Sequence, residues 1–193
     1  RDSETGKYFL GYQIFILGTR ARSRYSHLLP CDTLLCNILP QISLPFNAIY
    51  ITVLEQDFKV LRFLTKWPTL LASSSNQFSI QRIIPCFCTA SGRVFLSDLP
   101  EKEQRKILES QNLYAYTTST VTDINQLINL LKDVPTQGYA TDIEEYTNFE
   151  ASVAAPIRDY SGKIVAAVNI SASKLLYQSR SQEYIQLILA LSQ

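Results

Sequence analysis

GYATDIEEYTNFEASVAAPIRDYSGKIVAAVNIS, residues 138–171, reads as strand, loop, strand, tight turn and strand. "DYSGK" supplies the turn, because Gly and Ser tolerate the backbone angles a reversal needs. Ser152 sits just ahead of the apolar run Val153-Ala154-Ala155, and Asn169 and Ser171 punctuate a strand otherwise made of Val, Ile and Ala. Residues i and i+2 of a strand point the same way, so Asn169 and Ser171 share a face, and Ser152 can converge on them from a neighbouring strand. Asp142 lies close to Glu144 and Glu145. A few uncharged polar groups set into core strands fit a small-molecule pocket, which is mostly apolar with a few placed donors and acceptors. They equally fit groups that satisfy buried backbone or face solvent, and the residues alone leave both readings open.

Around this stretch the chain is ordinary. It has 193 residues, 46% of them apolar, and a net charge of +1. That length supports one domain with a sizeable core. The balance of charge lacks the concentrated basic face that gripping a nucleic acid requires. No apolar run approaches the roughly 20 residues that span a bilayer, so no membrane role and a cytoplasmic location are expected. The chain opens at Arg1 inside what reads as a hairpin, so an upstream part is expected.

Residues 8–26 read as an amphipathic helix with Leu10, Ile14, Leu17 and Ala21 on one side and Arg20, Arg22 and Arg24 at its end. A second helix is expected from Asp32 to Pro40. "NAIYITVL" and "KVLRFLTKW" read as a hairpin, "PTLLASSSNQ" as a loop and "FSIQRIIPCF" as a strand with Cys86 and Cys88 alternating in it. Helices are expected to open at Thr89, with Pro100 in a first turn, and at Thr122 or Asp123, the last stopped by Pro135 and Gly138. "SQEYIQLILALSQ" closes the chain as a helix. Helices and strands do not alternate strictly, which indicates α+β with a mostly antiparallel sheet.

Catalytic constellations are not evident. His27 is the only histidine, far in sequence from any nucleophile. Cys31, Cys36, Cys86 and Cys88 form no C-x-x-C pair, so neither a metal nor a cofactor is expected and buried free thiols are the plain reading. "TASGR" lacks the first glycine of a nucleophile elbow. Its backbone N–H groups, where a helix begins, suit an anionic group instead. The enzymatic alternative is a hydrolase or isomerase using Glu144/Glu145 or Cys88, and a third reading is a purely structural dimerisation domain.

"PCFCTASGRVFLSDLP", "TTSTVTDINQLINLLKDVPTQGYATDIEE" and "SVAAPIRDYSGKIVAAVNISAS", in that order and spacing, resemble the effector-binding domain of IclR-type bacterial transcriptional regulators. "TGKYFLGYQIFILG" resembles the end of that family's winged-helix wing running into a linker helix. The resemblance implies a GAF- or profilin-like curved antiparallel sheet flanked by helices. It places the wing end and linker helix in 1–27 and the effector-binding domain in 28–193. It implies a homodimer or tetramer and operator DNA bound by a separate N-terminal winged helix-turn-helix domain. The effector would be a small organic or aromatic acid, its carboxylate at the amides of Ala90 and Ser91. Asp142, Ser152, Asn169 and Ser171 would hold its other groups, with Ile84 in the wall. Three positions depart from the family's pattern: Phe87 where a His is frequent, Asn148-Phe149 where a Gly is usual, and Glu150 at an often apolar place.

Overall fold

The computed structural model describes Leu35 and residues 37–55, 58–66 and 83–193. The expected linker helix with its apolar stripe, and His27, Cys31 and Cys36, lie outside the described residues. The chain divides into two compact units, 1–41 and 42–193. Of the first, a 3-10 turn at Leu39–Gln41 is described, with the Gln41 side chain donating to Asn37 O at 3.0 Å.

The second unit is built on one six-stranded sheet with order β3-β2-β1-β6-β5-β4. Its strands are β1 (Ala48–Leu54), β2 (Val60–Lys66), β3 (Ile83–Ile84), β4 (Ala140–Ile143), β5 (Glu150–Arg158) and β6 (Ile164–Ser173). Every neighbouring pair is antiparallel. The β5–β6 hairpin turns at Asp159, whose carboxylate accepts from the Ser161 and Lys163 amides, and at Gly162 with φ 85. An L side chain rarely adopts that left-handed backbone, so glycine suits the turn.

"FSIQRIIPCF" was expected to continue as strand through Cys88. The described strand ends at Ile84, and Cys86 to Cys88 form a turn. Pro85 is the physical reason, since it has no N–H to give a ladder. The turn leads into α1 (Ala90–Ser97), capped by Thr89, whose hydroxyl oxygen accepts from Gly92 N at 3.3 Å. The same hydroxyl donates to Pro85 O at 2.6 Å and so pins the turn to the helix. Gly92 permits this approach: a Cβ there would stand 2.1 Å from Cys86 O.

α2 (Glu101–Ser110) begins after Pro100, which takes the cap position rather than the expected first turn. α3 (Ile124–Lys132) starts at Asp123, whose carboxylate accepts from Gln126 N at 2.8 Å. Pro135 does not stop it. Instead Pro135 sits in the first turn of the short α4 (Val134–Gln137), where a missing N–H is harmless, and Gly138 at φ 81 closes that helix. α5 (Lys174–Ser179), capped by Ser173, was not anticipated, and α6 (Ser181–Leu191) follows.

Side chains alternate across β5 and β6, and both faces are covered. α1 packs against β4, β5 and β6 on the face that carries Ala140, Ala154 and Ala167. These three small side chains let the helix approach closely. α6 also packs against β5 and β6, burying Tyr184 and Ile188, and each such side chain contributes roughly 1.5–3 kcal/mol. Burial on both faces explains why these strands read as nearly continuous apolar runs, and it makes each polar residue inside them conspicuous.

Candidate functional site

Strand register collects the polar residues. Asp142 on β4 lies opposite Ser152 on β5, and Ser152 lies opposite Ser171 on β6. The next row on the same face runs Ala140, Ala154, Asn169 and Tyr50. Asp142, Ser152, Asn169 and Ser171, separate in sequence, are thus set side by side on the face where α1 begins, and all four are buried.

The N-terminus of α1 already holds a carboxylate. Asp142 Oδ2 accepts from Ala90 N at 3.0 Å, and Thr89 takes Gly92 N. The Ala90 amide, expected to meet a ligand's carboxylate, therefore meets the chain's own. The positive end of the helix dipole favours either occupant equally. Burial pushes the Asp142 carboxyl from the ordinary 3.8 up to about 7, against the opposing pull of the Ala90 amide and of Arg93. Glu145 and Glu150 push it further in the same direction.

Asp142, Ser152 and Ile84 border a recess completed by Tyr50, Thr89, Tyr146, Thr147 and Glu150. Its free space is about 20 Å³, room for a single water. Beside it, sharing Ile84 and Tyr146, runs a wider groove of about 350 Å³ lined by Phe58, Pro85, Phe87 and Tyr116 among others. Tyr146 stacks edge-on with Tyr116, ring centres 5.1 Å apart, and Tyr116 with Tyr114 at 5.5 Å. Phe87 is buried and lies 6.3 Å from Tyr116.

The groups considered for catalysis are engaged elsewhere. Glu145 forms a buried ion pair with Arg93 at 2.6 Å, and Arg93 also donates to Thr141 O at 2.6 Å. Glu144 pairs with Lys174 at 2.5 Å and accepts from Phe149 N at 3.0 Å, which holds its carboxyl below the usual range. Burial raises the Cys88 thiol far above its ordinary range, so it stays protonated and unreactive. The Cys86 thiol, raised to about 11, donates to Gln111 at 3.2 Å.

Sequence reasoning missed several members. Thr52, fully buried, accepts from Asn169 Nδ2 at 3.1 Å. It stands two residues from Tyr50 in an apolar strand, the same signal that singled out Asn169 and Ser171. Arg93 was legible as the lone charge within "ASGRVFLS", but its pairing with Glu145 was not. Tyr50, Tyr146 and Thr147 gave no signal, because aromatic residues and loop threonines are common in any core or turn.

Residues 70–193 match the family described as "Bacterial transcriptional regulator IclR C-terminal". The chain is 28% identical over 190 residues to the HTH-type transcriptional regulator KdgR of Escherichia coli K12, an alignment covering 97% of this chain and 70% of that protein. It is also similar to the solved C-terminal domain of E. coli KdgR, with a TM-score of 0.65 and 26% identity over 76% of this chain and 83% of that one. The inducer-binding domain of the PobR transcription factor from Acinetobacter, a double mutant solved in complex with 3-hydroxybenzoic acid, shares the fold. There the TM-score is 0.68 and the identity 20%, over 83% of this chain and 94% of that one.

Proposed function

Because the chain belongs to the IclR family of bacterial transcriptional regulators, we propose that it senses a small organic or aromatic acid and passes that signal to a DNA-binding domain preceding it. The observation that carries the reading is the buried row Asp142, Ser152 and Ser171, with Asn169 beside it, under the start of α1. Donors and acceptors stand side by side there, while Glu144 and Glu145 are held in ion pairs and the Cys88 thiol stays protonated. Such a site can hold a metabolite.

An effector larger than a water enters the recess only when one of its walls moves, since the space is about 20 Å³. Asp142 is the wall that an anionic effector would displace, because both compete for the Ala90 amide. Once protonated, Asp142 can instead donate to the incoming carboxylate, which removes the repulsion between two anions. Binding would then favour one quaternary arrangement of a dimer or tetramer and so reposition the operator-binding domains. The shift can be no larger than the effector's preference between the two states.

Thermal denaturation against a panel of small carboxylic and aromatic acids tests the reading, because a ligand bound only by the folded state raises Tm. Asn169→Leu and Ser171→Leu are expected to keep the fold and lose that rise. Equal rises in wild type and both variants would place the ligand elsewhere.

A further inference from the structure

A groove of about 560 Å³ is lined by residues of α3, α4 and the edge strand β4, and it shares no lining residue with the recess. Its volume falls in the range of small-molecule sites, and Leu130, Val134 and Ala140 give it apolar surface.

Arg93 lines this groove from α1 and leaves one donor unused. Its Nη1 donates to Thr141 O and its Nη2 to Glu145, both at 2.6 Å, while Nε has no hydrogen-bond partner among the described residues. Thr141 lines the groove as well, so the guanidinium is held at its wall. Arg93 is 4% exposed, and a guanidinium N–H can only donate. Buried donors without an acceptor are rare in folded proteins, so this one calls for an acceptor.

Charge decides what kind of acceptor fits. Arg93 and Asp133 line the groove, and the charged side chains bonded to lining residues are Glu145, Lys132 and Asp123. Three carboxylates against two cations leave no attraction for an anion. The amide side chains narrow the choice further. Gln137 Nε2 donates to Tyr139 O at 2.7 Å, which leaves Gln137 Oε1 to accept. Asn129 Oδ1 accepts from Lys132 at 3.0 Å, which leaves the Asn129 NH2 group to donate. A neutral group that both accepts and donates matches this set, and a carboxamide is such a group.

We propose that this groove is a second ligand site, separate from the recess, for a small neutral carboxamide carried on an apolar body. The ligand's carbonyl oxygen accepts from Arg93 Nε, its N–H groups donate to the acceptors of the groove, and its apolar part lies against Leu130 and Val134. Nε is covered, so the carbonyl meets it as exposed side chains of the wall turn aside. The site does not depend on the sensor reading above.

Nuclear magnetic resonance titration of the 15N-labelled chain tests the proposal, because the Arg93 Nε–H gives a signal of its own. Benzamide is expected to shift that signal and to bind about tenfold tighter than toluene, the worth of one hydrogen bond from a charged donor. Benzoate is expected to bind there more weakly than benzamide. Leu130→Arg, at a helix position 44% exposed, is expected to fold as wild type and to block the shift by filling the groove. Arg93→Lys keeps a cation for Glu145 and lacks Nε, so its affinity for benzamide is expected to fall about tenfold. Leu130→Arg decides alone if the lysine variant does not fold. An Nε–H signal that benzamide leaves in place, or moves equally in Leu130→Arg, would overturn the site. Benzoate binding as tightly as benzamide, with the same Nε–H shift, would overturn the neutral carboxamide.

Discussion

Asp142 reaches from β4 to the first amide of α1, Oδ2 to Ala90 N at 3.0 Å, and so places a buried carboxylate at the positive end of a helix. The hydrogen bond and the dipole favour the charged form, yet burial outweighs them and lifts the carboxyl to about 7. Arg93, Glu145, Glu150, Cys88 and Tyr177 are among the charged or titratable groups whose charge acts on it.

That balance makes stability depend on pH with a definite sign. In the unfolded chain Asp142 titrates near 3.8, in the folded chain near 7. Between those values the folded state binds the extra proton, so this group's contribution is complete at low pH and is lost as pH rises toward about 7. Asp142→Asn keeps an acceptor for Ala90 and removes the charge. Its Tm is expected to vary less than the wild type's between about pH 4 and about pH 7, and to exceed it at about pH 8. Parallel pH dependences in thermal melts would show that Asp142 is not the titrating group. Wild-type affinity for an anionic effector is expected to fall over the same rise in pH.

Arg93 and Glu145 illustrate a different cost. Their ion pair is buried, with side chains 5% and 9% exposed. Removing one partner strands a charge away from water, so Glu145→Leu or Arg93→Met alone is expected to cost about 3–5 kcal/mol. The double variant is expected to recover most of that loss, because it buries no unpaired charge. Urea denaturation of the four proteins gives the coupling energy directly, and additive losses would mean that the pair is not coupled.

Phe149 sits at φ 64 in the loop between β4 and β5, 80% exposed. A non-glycine residue in the left-handed region costs about 1–2 kcal/mol, and this side chain recovers little by burial. Phe149→Gly is expected to raise Tm by about 2–6 °C, and a lower Tm would mean that the phenyl ring makes a contact worth more than the strain. Glycine would adopt that backbone conformation freely.

Much of the candidate row was legible because strand periodicity is strict. Alternation put Asn169 and Ser171 on one face, and a helix start at Thr89 and another at Thr122 or Asp123 followed from side chains that satisfy helix amides, the structure choosing Asp123. Pro85 and Pro135 were harder to read, since proline ends one element and starts another with equal ease. Whether Pro135 closed α3 or opened α4 depended on Asp133 and Gly138 acting together.

Local chemistry, written in residue types and their spacing, determined the strands, their inward faces, the turns and the α+β class. Register across β4, β5 and β6 was decided only by tertiary structure, since it depends on which rows of side chains pack under α1. So were the partners: Glu145 with Arg93, Asp142 with Ala90, and the Asn169 NH2 group with Tyr50 of β1. Each of those choices is a competition between burial and pairing at a distance of 50 residues or more in sequence. Spacing along the chain says nothing about such a distance until the sheet is closed.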